Sequence, residues 1–169
     1  MDRTRFTTSP CSIARSLDVL GDWWTPLIIR EAMYGVHRFD EFQFNLNIAR
    51  NILTRRLKLL VEQGVMEKRP IEGSRRKGYH LTDKGYDAAK VLMALRSFGE
   101  RWTFDGEQPI LLYSRTTGKR VEPVLVDRET GEPVDVRDLY AGPGPAFPKS
   151  EKAKRYRFRE YYERAEGAE

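Results

Sequence analysis

From Ile48 to Gln63 apolar and polar residues alternate at the spacing of a helix. At an advance of about 100° per residue, Leu53, Leu57 and Leu60 form one stripe with Ile52 and Leu59 at its edge. Arg50, Asn51, Thr54, Arg55 and Lys58 share the opposite sector. Gly64 ends the helix. Val65-Met66-Glu67-Lys68-Arg69 then reads as a short strand, Gly73 to Gly78 as a turn carrying Arg75, Arg76 and Lys77, and Tyr79-His80-Leu81 as the returning strand. A basic helix followed by a hairpin with a basic tip predicts a winged helix.

The preceding pattern supplies the rest of such a domain. Ser9-Pro10 opens a first helix, with Ser as N-cap and Pro at the first helical position, and Ile13, Leu17 and Leu20 recur along it until Gly21. Asp22-Trp23-Trp24-Thr25-Pro26 starts a second helix, where Pro26 lies near enough to the start to cost little, and Gly35 stops it. A short third helix is predicted from Phe39 to Asn45, with Phe39, Phe42 and Leu46 inward. Asn47 is expected to cap the basic helix, because Ala49 is a poor cap.

Thr82 is the predicted N-cap of a long helix reaching Trp102. Ala88, Leu92, Leu95, Gly99 and Trp102 form one stripe along it, and Tyr86, Ala89 and Met93 an adjacent one. Two apolar faces on one helix suit one contact within the domain and one with a partner. Beyond it, Ile110 to Tyr113, Val121 to Val126 and Val134 to Val136 alternate with turn signals. Thr117-Gly118-Lys119-Arg120-Val121 recurs 13 residues later as Thr130-Gly131-Glu132-Pro133-Val134, which predicts two related hairpins. Gly142-Pro143-Gly144-Pro145 reads as a linker. The tail from Lys149 is strongly charged, with Tyr156, Phe158, Tyr161 and Tyr162 interleaved, and reads as a helix or a loose segment.

Charge sharpens this picture. The chain carries 30 Lys+Arg against 25 Asp+Glu, a net +5, whereas residues 48 to 77 hold nine bases and three acids, a net +6. The excess is therefore confined to the basic helix and the hairpin, the footprint of contact with a phosphate backbone. No apolar run approaches the roughly 20 residues of a bilayer span, and the start of the chain has no apolar segment of the signal-peptide kind, so a cytoplasmic protein without membrane partners is expected. A single cysteine excludes an internal disulfide framework and a thiolate-only metal site. No nucleophile elbow, phosphate loop or metal-spaced cluster is present, so no enzymatic activity and no cofactor are expected.

The order of Cys11, Gly21-Asp22-Trp23-Trp24-Thr25, Arg30-Glu31, Gly35, Arg38-Phe39-Asp40-Glu41-Phe42, Leu53-Thr54-Arg55-Arg56-Leu57, Gly64-Val65 and Tyr79-His80-Leu81-Thr82-Asp83-Lys84-Gly85 resembles the HxlR family of bacterial winged helix-turn-helix regulators, which are related to the MarR group. The resemblance covers about residues 9 to 102. It implies a homodimer on a near-palindromic double-stranded operator, with the basic helix in the major groove and the wing on the backbone or minor groove, more often a repressor than an activator. It also implies that a cysteine at the start of the first helix senses oxidants or electrophiles in some members. Longer relatives carry paired cysteines, like a zinc ribbon, where this chain has Ser114 to Gly118 and Asp127 to Gly131. The ribbon is therefore expected without its metal.

The expected fold is α+β and mainly α. A winged helix-turn-helix and dimerisation domain spans 1–102, a small β extension 103–141, and a linker with charged tail 142–169. DNA contact is assigned to Arg50, Asn51, Thr54, Arg55, Lys58, Arg75, Arg76 and Lys77, with Asn51, Thr54 and Arg55 as base readers. Arg56 lies on the inner side, where an intramolecular ion pair is expected instead. Ile13, Leu17, Ala88, Leu92, Leu95 and Trp102 are assigned to the dimer contact. Cys11 is the candidate redox sensor, since a thiol in the first turn of a helix meets the positive end of its dipole; a small buried residue is the competing reading. Trp23, Trp24 and Trp102 are candidates for the pocket of a small-molecule effector, against the plainer reading of core tryptophans. The competing function is a winged helix used as a protein-protein module, which would call for an apolar or acidic face on the basic helix.

Overall fold

The computed structural model describes residues 6–9, 11–73, 76–103, 105–108, 110–145, 147 and 158–166. Its elements are α1 (Ser12–Leu20), α2 (Trp24–Met33), α3 (Phe39–Leu46), α4 (Arg50–Glu62), β1 (Met66–Pro70), β2 (Lys77–Leu81), α5 (Asp83–Trp102), a 3-10 turn (Val136–Asp138) and α6 (Arg159–Glu166). β1 and β2 pair antiparallel, from Met66 opposite Leu81 to Pro70 opposite Lys77. This order is a winged helix-turn-helix with a long helix behind it, mainly α with one small sheet. Pro10, Arg75 and Tyr156 lie outside the described residues, and α1 begins at Ser12 rather than directly after the expected cap Ser9.

The described contacts fall into two compact units, one of residues up to Thr7 with Ile13–Pro123, the other of Thr8–Ser12 with residues from Val124 onward. In the first, the core is built where the periodicity places it. Leu53, Leu57 and Leu60 of α4 are fully buried with Ile28 and Ile29 of α2, Phe42 of α3, and Val65 and Met66 at the start of the wing. Burying one such leucine contributes roughly 1.5–3 kcal/mol, so this stripe fixes which side of α4 faces outward. Ala89 and Leu92 of α5 complete the core, with Ala88 and Met93 packed against it.

Helix ends explain the connections. The carboxylate of Asp22 accepts from the backbone N–H groups of Trp24 at 3.0 Å and Thr25 at 3.1 Å and from the Thr25 hydroxyl at 2.5 Å, closing the start of α2. Glu31, buried in α2, accepts from Arg30 at 2.7 Å and from Asn45 of α3 at 2.8 Å, tying the two helices. Thr82 caps α5, its hydroxyl accepting from Gly85 N–H at 3.2 Å.

Asn47 does not cap α4. It sits at φ 46°, ψ 41°, in the left-handed region, as the C-terminal cap of α3. Asn is one of the few residues that tolerates this conformation, and a residue used to turn the chain out of one helix cannot also reach the first turn of the next. Ala49 takes the N-cap position in extended conformation with no side-chain bond.

The expected hairpins of the extension are shorter than predicted. In the first unit a turn at Ser114–Gly118 is closed by one bridge, Tyr113 to Arg120; in the second a turn at Asp127–Gly131 is closed by Val126 to Pro133. Neither grows into a ladder, and Pro123 and Pro133 lack the N–H groups that a ladder needs. Within each turn the bonding is the same. Ser114 Oγ accepts from the N–H of Thr116 and Thr117, and Asp127 Oδ1 from that of Glu129 and Thr130. Gly118 at φ 67° and Gly131 at φ 73° close the respective loops.

Elsewhere in the second unit, Phe158 is buried edge-on against Phe147 at 4.8 Å, and Arg164 of α6 lies over the Tyr140 ring at 4.8 Å. Cys11 is half-buried immediately before α1, its N–H donating to Ser9 Oγ at 3.2 Å.

Candidate nucleic-acid interface

Because the leucine stripe of α4 is buried, Arg50, Asn51, Thr54, Arg55 and Lys58 are all exposed on its other side. Their intramolecular ties differ. The Arg50 guanidinium lies 5.2 Å above the ring of Phe39 in α3, a cation–π contact that holds it at the start of the helix. The Thr54 hydroxyl donates to the Arg50 carbonyl at 2.8 Å, so its methyl and lone pair are what face outward. Asn51 Oδ1 accepts from Ile52 N–H at 2.9 Å, which leaves its amide N–H groups for a partner. Lys58 is 3.7 Å from Glu62, an exposed pair of small energetic consequence. Arg55 has no ion pair or hydrogen bond among the described residues and presents its whole guanidinium fork, the group suited to guanine O6 and N7.

Arg56 makes the internal pair expected of it, with Nη1 3.2 Å from Asp22 Oδ2 in a mostly buried setting. The helix therefore has one basic face rather than a basic circumference.

The wing divides in the same way. Side chains alternate along a strand, so the register puts Met66, Lys68 and Pro70 on one face with Lys77, Tyr79 and Leu81, and Glu67 and Arg69 on the other with His80. Met66 and Leu81 root the first face in the core next to α4. Further out, Lys68 lies 5.4 Å above the Tyr79 ring and Lys77 is exposed. On the second face Arg69 is paired with Glu67. Lys68, which the sequence reading counted as basic without giving it a role, thus shares the face of Lys77, and Arg69 is neutralised. The signal for this was the strand register, which spacing alone did not supply. Arg76 is exposed at the tip, while Arg75 lies outside the described residues.

The other assigned residues fall in two places. Val91, Leu95, Phe98 and Trp102 form an exposed apolar row along α5, and Ile13 and Leu17 of α1 are exposed as well. Ala88 and Leu92, assigned to the dimer contact, belong instead to the chain's own core, because the inward stripe of α5 passes through them and Ala89. The tryptophans do not share one environment: Trp24 packs on the core, whereas Trp23 is 90% and Trp102 71% exposed. Among the described residues no group of three or more His, Cys, Asp or Glu is arranged to hold a metal ion, and no helix is long and apolar enough to cross a membrane.

Comparison with known proteins matches residues 19–107 to the HxlR-like helix-turn-helix family. An uncharacterised HTH-type transcriptional regulator of Mycobacterium tuberculosis H37Rv is 36% identical over 138 residues, which cover 80% of this chain and 87% of the relative. The HTH-type regulator YdeP of Bacillus subtilis is 27% identical over 94 residues, 54% of this chain and 73% of that one. The crystal structure of PA1607, described as a transcription factor, superposes with a TM-score of 0.73 at 39% identity, covering 82% of this chain and 99% of the other. That of PA1374 from Pseudomonas aeruginosa, described in the same terms, gives 0.55 at 41% identity over 84% and 96%.

Proposed function

The chain belongs to the HxlR-like helix-turn-helix family of DNA-binding transcriptional regulators, and on that premise we propose that it is a cytoplasmic homodimer that represses by occupying its operator. The observation that carries the reading is the single basic face shared by α4 and the wing. α4 enters the major groove of one half-site, where Arg55, Asn51 and Thr54 read base edges. Arg50, Lys58, Arg76 and Lys77, joined by Arg75, take phosphates, which position the protein and set the salt dependence of binding. Repression by occupancy requires only this surface, whereas activation requires a further one for polymerase.

The homodimer is supported by the exposed row Val91, Leu95, Phe98 and Trp102 along α5, an apolar surface of the kind that marks an interface, and by the exposed Ile13 and Leu17 of α1. Two half-sites about one helical turn apart, or a small multiple of it, follow from that pairing. In this reading Cys11 responds to oxidants or electrophiles, and Trp23, Trp24 and Trp102 are the residues at which a small-molecule effector is sought. Residues 103–141 act as an appendage to the regulator, and 142–169 as linker and tail.

The experiment is binding to duplex DNA from upstream of the protein's own gene, followed by fluorescence anisotropy at two salt concentrations against a scrambled duplex. The expected result is two subunits per site, steep salt dependence and a preference on the order of a thousandfold or more. Weak binding with no preference at any salt would refute the reading of an operator-specific regulator.

A further inference from the structure

The chain has two histidines, and they meet. His37, in the loop between α2 and α3, stacks on His80 of β2 with 4.0 Å between ring centroids and 25° between the planes. The backbone reinforces the contact. Tyr79 N–H donates to the His37 carbonyl at 2.8 Å, and His37 Nδ1 lies 3.2 Å from the Tyr79 carbonyl oxygen. A carbonyl only accepts, so Nδ1 carries the hydrogen and donates. Through these two bonds His37 fastens β2 of the wing to the loop between α2 and α3. Gly78 permits the approach: a Cβ there would lie 3.2 Å from both the His37 carbonyl and His80 Nε2, and 3.0 Å from Ile71 Cγ1.

The arrangement suits neutral rings. His80 Nε2 is buried without a hydrogen-bond partner among the described residues, so a proton placed there finds no acceptor. Around the pair, Glu67 and Arg69 of β1 and Asp83 and Tyr86 of α5 line a cleft of about 280 Å³. Glu67 is already committed to Arg69. Burial, then His37, then Arg69 push the proton affinity of His80 below its ordinary value, and Glu67 opposes them. Two protonated rings would set like charges face to face.

We propose that His37 is a positioning residue for the wing, and that it holds β2 ready for DNA only while the stacked imidazoles are neutral. The inference rests on the reading of the wing as a DNA-contacting element. Since His80 binds its proton more weakly in the folded chain than its ordinary 6.5, the stack contributes fully above that pH, and its contribution is lost as pH falls below it. The wing then loosens and Arg76 and Lys77 lose their phosphates. The sign is distinctive, because a surface histidine near DNA ordinarily gains charge on acidification and tightens binding.

The test is anisotropy titration of the full chain on the upstream and scrambled duplexes at constant salt, from about pH 8 to about pH 5.5. Affinity for both is expected to fall by roughly tenfold as wing phosphate contacts are lost. His37→Phe and His80→Phe keep an aromatic ring but cannot titrate. Each, once shown by thermal melting to be folded at the upper pH, should flatten the profile. Affinity that rises or stays level on acidification overturns the proposal, as does a wild-type profile in both variants. If no duplex binds at any pH, the DNA-binding reading is what fails. The imidazole proton signals, followed by NMR, then decide on the stack: a His80 that titrates at or above its ordinary value overturns it.

Discussion

Arg56 reaches from the middle of α4 to Asp22, with 3.2 Å between Nη1 and Oδ2, so the helix that carries the basic face is pinned to the carboxylate that caps α2. The two partners are not equivalent. Without Arg56, Asp22 still accepts three hydrogen bonds from Trp24 and Thr25. Without Asp22, α2 loses its cap and a mostly buried guanidinium, whose Nε has no hydrogen-bond partner among the described residues, loses its counter-charge. Arg56→Ala is expected to cost about 2 kcal/mol, and Asp22→Ala roughly 3–5 kcal/mol, measured by urea unfolding. Equal costs would show that the cap and the pair are not joined in this way.

Gly85 stands against the carbonyl of Val65. A Cβ on Gly85 would come to 2.3 Å of that oxygen, which is backbone held in place by the Thr82 N–H at 3.1 Å. Gly85→Ala should therefore destabilise by roughly 2–3 kcal/mol, although alanine favours a helix interior by about 1 kcal/mol over glycine. A melting temperature equal to or above that of the parent chain would contradict the close approach.

The two faces of the wing and helix should separate in DNA binding. Arg55→Ala is expected to lose about 1–3 kcal/mol, concentrated at one base position of each half-site. Arg76→Ala should weaken all sequences alike and reduce the salt slope by about one. Arg69→Ala, with its side chain on the opposite face and paired to Glu67, should leave the slope unchanged. If Arg69→Ala flattened the slope and Arg76→Ala did not, the docking face would be assigned backwards.

The apolar row on α5 gives a hydrodynamic prediction. Leu95→Glu with Phe98→Glu places two charges in the exposed stripe, outside the core that Ala89 and Leu92 complete. Sedimentation velocity should show a dimer for the parent chain and a folded monomer for the double variant, and half-site occupancy on DNA should replace cooperative binding. A double variant that still sediments as the dimer would move the interface elsewhere.

What the sequence disclosed follows from which forces are local. The spacing of Leu53, Leu57 and Leu60 fixes the inner face of α4, and by elimination the outer one, because burial of large side chains decides orientation. It also placed Arg56 inside with an ion pair, but not with Asp22, since partners more than 30 residues apart meet only through packing. Asn47 was misjudged because one polar residue can end a helix or begin one, and the backbone angle that decides lies between α3 and α4. His37 and His80 carried no signal, as their contact depends on the register of β1 with β2 and on the room left by Gly78. Leu92 was placed on the outer stripe of α5 because two apolar faces one residue apart look alike until one is filled. The family order of motifs reached further than periodicity here, and it said least about residues 103–141.

There the two turns at Ser114–Gly118 and Asp127–Gly131 have a consequence of a different kind. Each is closed by the oxygen of its own first side chain and by its own glycine, with the same bonds at the same offsets. A segment that carries its own closure needs nothing from its surroundings to hold its turn, so the same turn forms again 13 residues later in the chain. Serine in one turn and aspartate in the other serve equally at this position, because each has an oxygen that receives two amide hydrogens.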